Sequence, residues 1–200
     1  MDNKKIIEQI NKWSNIYFSN STLYLKSQGQ NIFKSTGNNT SKAINNYNGE
    51  RIEINVLKWF SDFWIYFEFE FKQTFTKISI SIFQGSETDR EKHQLFRAEW
   101  DDYNDNQNIH PQPHWHITSN QRIMKKVEEI VEMDENRGFL ELINEENSKI
   151  VDISKLHFAM SANWINNETH IHSLNSEEKV IKWFQGLISH LKNELEYLKT

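Results

Sequence analysis

Between His110 and His116 the chain reads His-Pro-Gln-Pro-His-Trp-His, so three of its eight histidines and both of its prolines fall within seven residues. Imidazole has an ordinary pKa of about 6.5, which lets it give and take protons near neutrality, and it also ligates divalent metals. Proline fixes its own φ and drives the preceding residue toward extended backbone. Pro111 and Pro113 therefore stiffen the approach to His114, as accurately placed imidazoles require.

In a strand starting at His114, side chains alternate, so His114, His116 and Thr118 share one face and Trp115 and Ile117 the other. Residues 93–100 alternate in the same way. Phe96, Ala98 and Trp100 point to one side, and His93, Leu95, Arg97 and Glu99 to the other. If the two strands pair across the 101–113 loop, Arg97, Glu99, His114 and His116 meet on one solvated face. Asp101, Asp102 and His110 then lie on the loop above, and His157 has matching polarity in a later strand of its own.

Two chemistries suit such a group. His114, His116 and Glu99 can hold Zn²⁺, Mn²⁺ or Fe²⁺ while leaving positions for water and substrate. Without a metal, one histidine serves as general base and the other as acid, with Arg97 gripping a phosphate. A predicted helix capped by Ser119 or Asn120 adds free N–H groups for an anion. Both point to a phosphoester in RNA or a nucleotide. His114, His116 and Glu99 are the expected catalytic residues, and Arg97, His110 and His157 the expected substrate-binding ones. The same residues also fit a face that binds a nucleotide or ligand without turnover, and a solvated strand pair with ordinary charge pairing. His170 and His172 repeat the His-x-His spacing in an Asn-rich stretch that reads as surface loop.

His116-Ile117-Thr118 resembles one half of the two-histidine phosphoesterase signature, whose second copy this chain lacks. His114 to Thr118 is similar to a histidine-triad nucleotide-binding motif with Thr118 in the third histidine's place. Arg97-Ala98-Glu99-Trp100 followed by His110 to His116 resembles small prokaryotic proteins of toxin–antitoxin or phage-defence loci. These carry an Arg-x-acidic strand and then His-Pro-x-x-His-x-His. That resemblance covers about 20 residues and implies a nucleic-acid-directed toxin or defence component.

The elements that must position these residues are legible in the periodicity. Ile6, Ile10, Trp13 and Tyr17 mark an N-terminal helix capped by Asp2 or Asn3. Residues 34–50, rich in Asn, Ser, Thr and Gly, read as a mobile loop. A strand is predicted around residues 52–57. Phe63, Ile65, Phe67, Phe69 and Phe71 then alternate with polar neighbours, as do Ile78, Ile80 and Ile82, which predicts a half-solvated antiparallel hairpin. Further elements are expected as a helix from residue 119 and strands at 139–143 and 150–160. A C-terminal helix from Ser176 carries Val180, Phe184, Leu187, Leu191 and Leu195 as its stripe. Strands that follow one another without intervening helices predict an α+β fold. Its antiparallel sheet has about five to seven strands, packed against N- and C-terminal helices, in one domain spanning 1–200.

Composition narrows the classes. A net charge of −5 argues against a whole-molecule basic field for nucleic acid, and absence of cysteine removes disulfides and thiolate metal sites. No apolar run is long enough to span a membrane, and the polar N-terminus lacks a signal-peptide core, so the expected setting is cytoplasmic. An interaction protein is the third class. Its motivating feature is Trp59-Phe60-Ser61-Asp62-Phe63-Trp64, with Trp64 expected on the solvated strand face, where it would dock a protein partner.

Overall fold

The alternating Phe and Ile residues of the central hairpin organise the chain. In a computed structural model, residues 1–18, 22–47, 50–73, 75–90, 92–101, 112–118 and 174–199 are described. They form helix α1 (Asn3–Tyr17), strands β1 (Tyr24–Ser27), β2 (Ile32–Thr36), β3 (Thr40–Tyr47), β4 (Glu50–Phe60), β5 (Phe63–Phe71), β6 (Thr76–Gln84), β7 (His93–Asp101) and β8 (His114–Ile117), and helix α2 (Glu177–Tyr197). The sheet is antiparallel, in the order β1-β2-β5-β6-β7-β8. It forks at β5, whose Phe69 faces Phe33 of β2 while Ile65 faces Leu57 of β4, and β3 pairs with β4. The α+β class and the helix at each end agree with expectation, and the described residues place eight strands in the sheet. No helix among the described residues is long and apolar enough to cross a membrane.

One face of the sheet carries Ile65, Phe67, Phe69, Ile78, Ile80, Ile82, Phe96, Ala98 and Trp100, and both helices cover it. Asp2 caps α1 by accepting from the N–H groups of Lys4 and Lys5, and Ser176 caps α2. Phe184 of α2 packs edge-on against Phe67 at 4.9 Å between ring centres and touches Trp13 of α1 at 5.7 Å. Leu191 is fully buried and Leu187 nearly so. Leu191→Ala is expected to cost about 2–5 kcal/mol, Leu187→Ala somewhat less, because a cavity remains where the side chain was. Denaturant unfolding checks this, and a parental midpoint for Leu191→Ala would show that α2 does not pack as described.

The opposite face is not open to solvent, and here three expectations are corrected. Residues 34–47 are not a loop: they form the end of β2, a three-residue turn and all of β3. The inward-facing polar side chains Ser35 and Asn45 find partners across the fold, while Asn38, Asn39, Thr40 and Lys42 stay exposed. The β3–β4 hairpin folds over the second face and buries a smaller cluster of Ala43, Val56, Trp64, Tyr66 and Phe83. Trp64, expected to be exposed and to dock a partner, is 2 % exposed. Its indole N–H donates to the Gly85 carbonyl at 2.8 Å, and the Lys58 and Lys92 ammonium groups lie 4.7 and 4.8 Å from its ring centre. The third correction concerns Leu95. A bulge sets Ile82 opposite Phe96 but Phe83 opposite Gln94, so Leu95 is the extra residue. Its side chain joins the main core with Phe96, and Gln94 turns to the polar side to reach Asn45 and Asn46.

The predicted helix after residue 118 and the strands at 139–143 and 150–160 lie outside the described residues.

Candidate functional site

The site is built from strand register. Ser81 of β6, Arg97 of β7 and His116 of β8 stand opposite one another in one row, and Ser79, Glu99 and His114 form the next. Lys77 opposite Asp101 begins a third row, which the side chain of Gln112 completes. Side chains in such rows share a face with Cβ atoms roughly 4.5–5.5 Å apart, close enough for short polar groups to touch. On the reverse face Ala98 stands opposite Trp115, and Trp115 packs on Phe96 at 5.7 Å. Arg97, Glu99, His114 and His116 thus share one side, away from Trp115, as the alternation predicts.

Their depth differs from expectation. Arg97 and Glu99 are each 3 % exposed, because Asn46 and Tyr47 of β3 lie over them. Only His114 and His116 reach solvent, with side chains 17 % and 46 % exposed. The site is therefore a buried ionic floor with two imidazoles at its rim.

Glu99 is the centre of that floor. Its Oε1 lies 2.9 Å from Lys77 Nζ and 3.0 Å from Arg97 Nε, contacts held by charge rather than by aligned hydrogen bonds. Its Oε2 lies 2.9 Å from His116 Nε2, 3.6 Å from His114 Nε2 and 3.3 Å from Arg97 Nη2. Burial alone would push the Glu99 carboxyl up. The opposing contacts with His114 and His116, of which only the second is within hydrogen-bonding distance, and the charges of Lys77 and Arg97 outweigh burial. They hold the group well below the usual carboxylate range, so it stays ionised.

The two imidazoles meet above this carboxylate, Nε2 to Nε2 at 2.7 Å. His114 Nδ1 lies 3.1 Å from Gln112 Oε1, and Gln112 is bound in turn to Asp101. The donor atoms of Glu99, His114 and His116 all lie within 4.8 Å of one another, a spacing compatible with one metal ion.

Arg97 takes a different position from the one expected for an anion binder. Besides its contacts with Glu99, its Nη1 donates to the Asn46 carbonyl and its guanidinium stacks on the Tyr47 ring. A buried guanidinium committed in this way orients Glu99 and does not meet solvent-borne substrate. His110 and His157, like His170 and His172, lie outside the described residues.

Sequence reasoning missed Lys77, whose signal was present. It interrupts the Ser79, Ser81 pattern on the polar face of β6 with the one long cation there. Gln112 was read only as part of a stiff approach, and Asp101 as loop. Comparison with known protein families and with curated proteins finds no match to this chain.

Proposed function

We propose that Glu99, His114 and His116 hold a divalent cation of the zinc or manganese class and that the chain hydrolyses phosphoesters of RNA or nucleotides. The observation that carries the reading is the convergence of three donor atoms on one point, two of them imidazole and one carboxylate. Three protein ligands leave coordination positions for a water and a substrate oxygen, and the metal would lower the pKa of that water. Lys77 Nζ and Arg97 Nε hold Oε1, and Oε2, which Arg97 Nη2 reaches only at 3.3 Å, faces the two imidazoles as the donor. Two zinc–nitrogen bonds of about 2.0–2.1 Å at a tetrahedral angle set the nitrogens about 3.3 Å apart. The rings must therefore open by about 0.6 Å from 2.7 Å, which the half-exposed His116 can supply by rotation. The phosphoester as substrate draws support from the resemblance of residues 97–116 to defence-associated proteins.

The 2.9 Å contact between His116 and Glu99 supports a second, metal-free reading. There Glu99 orients His116 as general base and His114 delivers the proton to the leaving group.

The test is metal analysis of the purified chain after loading with zinc or manganese and desalting, followed by cleavage of single-stranded RNA and nucleotides with and without EDTA. About one equivalent of metal per chain is expected, with none in E99Q/H114A. Cleavage should be lost in EDTA and restored by added metal. Equal metal in parent and variant would remove the metal reading, and cleavage that persists in EDTA would favour the acid–base pair.

A further inference from the structure

Gln112 and Asp101 form a clamp with a defined polarity. The backbone N–H of Asp101 donates to Gln112 Oε1 at 3.1 Å, and Gln112 Nε2 donates to Asp101 Oδ1 at 2.8 Å. Both residues are buried. Turning the amide over would set two donors against each other and the new oxygen against a carboxylate oxygen, so the pair fixes which Gln112 atom is oxygen. That oxygen has a second lone pair, and His114 Nδ1 sits 3.1 Å from the same atom. An amide oxygen only accepts, so the ring nitrogen facing it carries hydrogen.

From this we infer that Gln112 is a positioning residue which locks neutral His114 as its Nδ1–H tautomer, leaving its Nε2 as an acceptor that faces Nε2 of His116 at 2.7 Å. The inference deepens the metal-site reading and rests on it for its purpose. A metal-ligating histidine gives its other ring hydrogen to a fixed acceptor, which sets the tautomer and the ring orientation. An unconstrained imidazole favours hydrogen on Nε2, which would block the donor atom this site needs. The tautomer itself does not depend on whether metal binds.

The experiment records long-range proton–nitrogen spectra of uniformly ¹⁵N-labelled, metal-free protein, well above the ordinary imidazole pKa of about 6.5. The His114 signals are assigned by their absence in H114A. The parent is expected to show His114 with hydrogen on Nδ1, and Q112A to shift it toward Nε2. The double variant D101N/Q112E reverses donor and acceptor within the clamp while conserving charge, so it is expected to restore the parental pattern. Zinc affinity, measured by competition with a chromophoric chelator, should fall about 10–100-fold in Q112A and recover in D101N/Q112E. A Gln112 that merely packs would change melting temperature without moving the tautomer. Parental protein with hydrogen on Nε2, or Q112A with the parental tautomer, would overturn the inference. A parent that binds no zinc yet shows the Nδ1–H pattern would instead sink the metal reading and leave the clamp standing.

Discussion

Alanine at both His114 and His116 is expected to lower phosphoester cleavage by about 10²–10⁴-fold, the usual consequence of removing a catalytic acid or base. Metal content should fall with it. Stability should change far less, because both rings sit at the rim: His116 is half exposed, and the pair surrenders the His116–Glu99 contact and the His114–Gln112 hydrogen bond without opening a core cavity. A loss of about 1–2 kcal/mol covers one such bond and a partly buried ring. The measurement pairs an initial-rate assay on RNA and nucleotides with a denaturant midpoint for the same preparation. His190, on α2, serves as control, and H190A should retain parental rate and metal content. Full cleavage by the double variant at parental metal content would remove both the metal and the acid–base readings. The site would then be a ligand-binding or structural feature.

How much of this was legible in the sequence depends on the range of the interaction. Helix α2 and the pairing of β5 with β6, though not the expected solvated face of that hairpin, were read correctly because a stripe or an alternation is decided by neighbours a few residues away. The shared face of Arg97, Glu99, His114 and His116 was legible for the same reason, since parity survives any antiparallel pairing that keeps register. The layer above that face was not legible. Residues 34–47 are polar on both sides of their strands, so nothing local distinguishes them from a loop. Asn45 and Asn46 pair with β4, and their polar side chains are answered from far away in sequence: Gln94 accepts from Asn46, and Gln94 and Ser81 both donate to Asn45. Missing that layer led to two errors at once: Trp64 was placed in solvent, and Arg97 was offered to a substrate it cannot meet.

Depth changes the meaning of the charged residues as well as their exposure. On an open face, Arg97 and Glu99, two residues apart on one strand, would form an ion pair worth little. Under β3 they belong to a buried triad with Lys77, and the environment that makes the triad costly to form makes it costlier to leave incomplete. The His pair borrows from this arrangement. A carboxylate kept ionised below the rim keeps Oε2 available as an acceptor for an imidazole N–H or as a ligand for a metal ion.

Removing Glu99 is therefore expected to be the most damaging single change to the fold. E99A should cost about 3–5 kcal/mol, because it leaves the Lys77 and Arg97 charges buried without their shared partner. E99Q keeps the shape and should cost less, though its amide cannot neutralise two cations. Replacing the whole triad with apolar residues of similar volume, as K77M/R97M/E99L, removes the uncompensated charges altogether and should be clearly more stable than E99A. It should nevertheless bind no metal and cleave nothing, since the third donor atom is gone. Urea unfolding of the four proteins, with metal content measured on each, separates the two contributions of Glu99. If E99A unfolds with the parent, Lys77 and Arg97 are answered by other charges and the buried triad is wrongly drawn. If the apolar triple variant regains stability and still binds metal, Glu99 serves the fold alone, and His114 and His116 must find their third partner elsewhere.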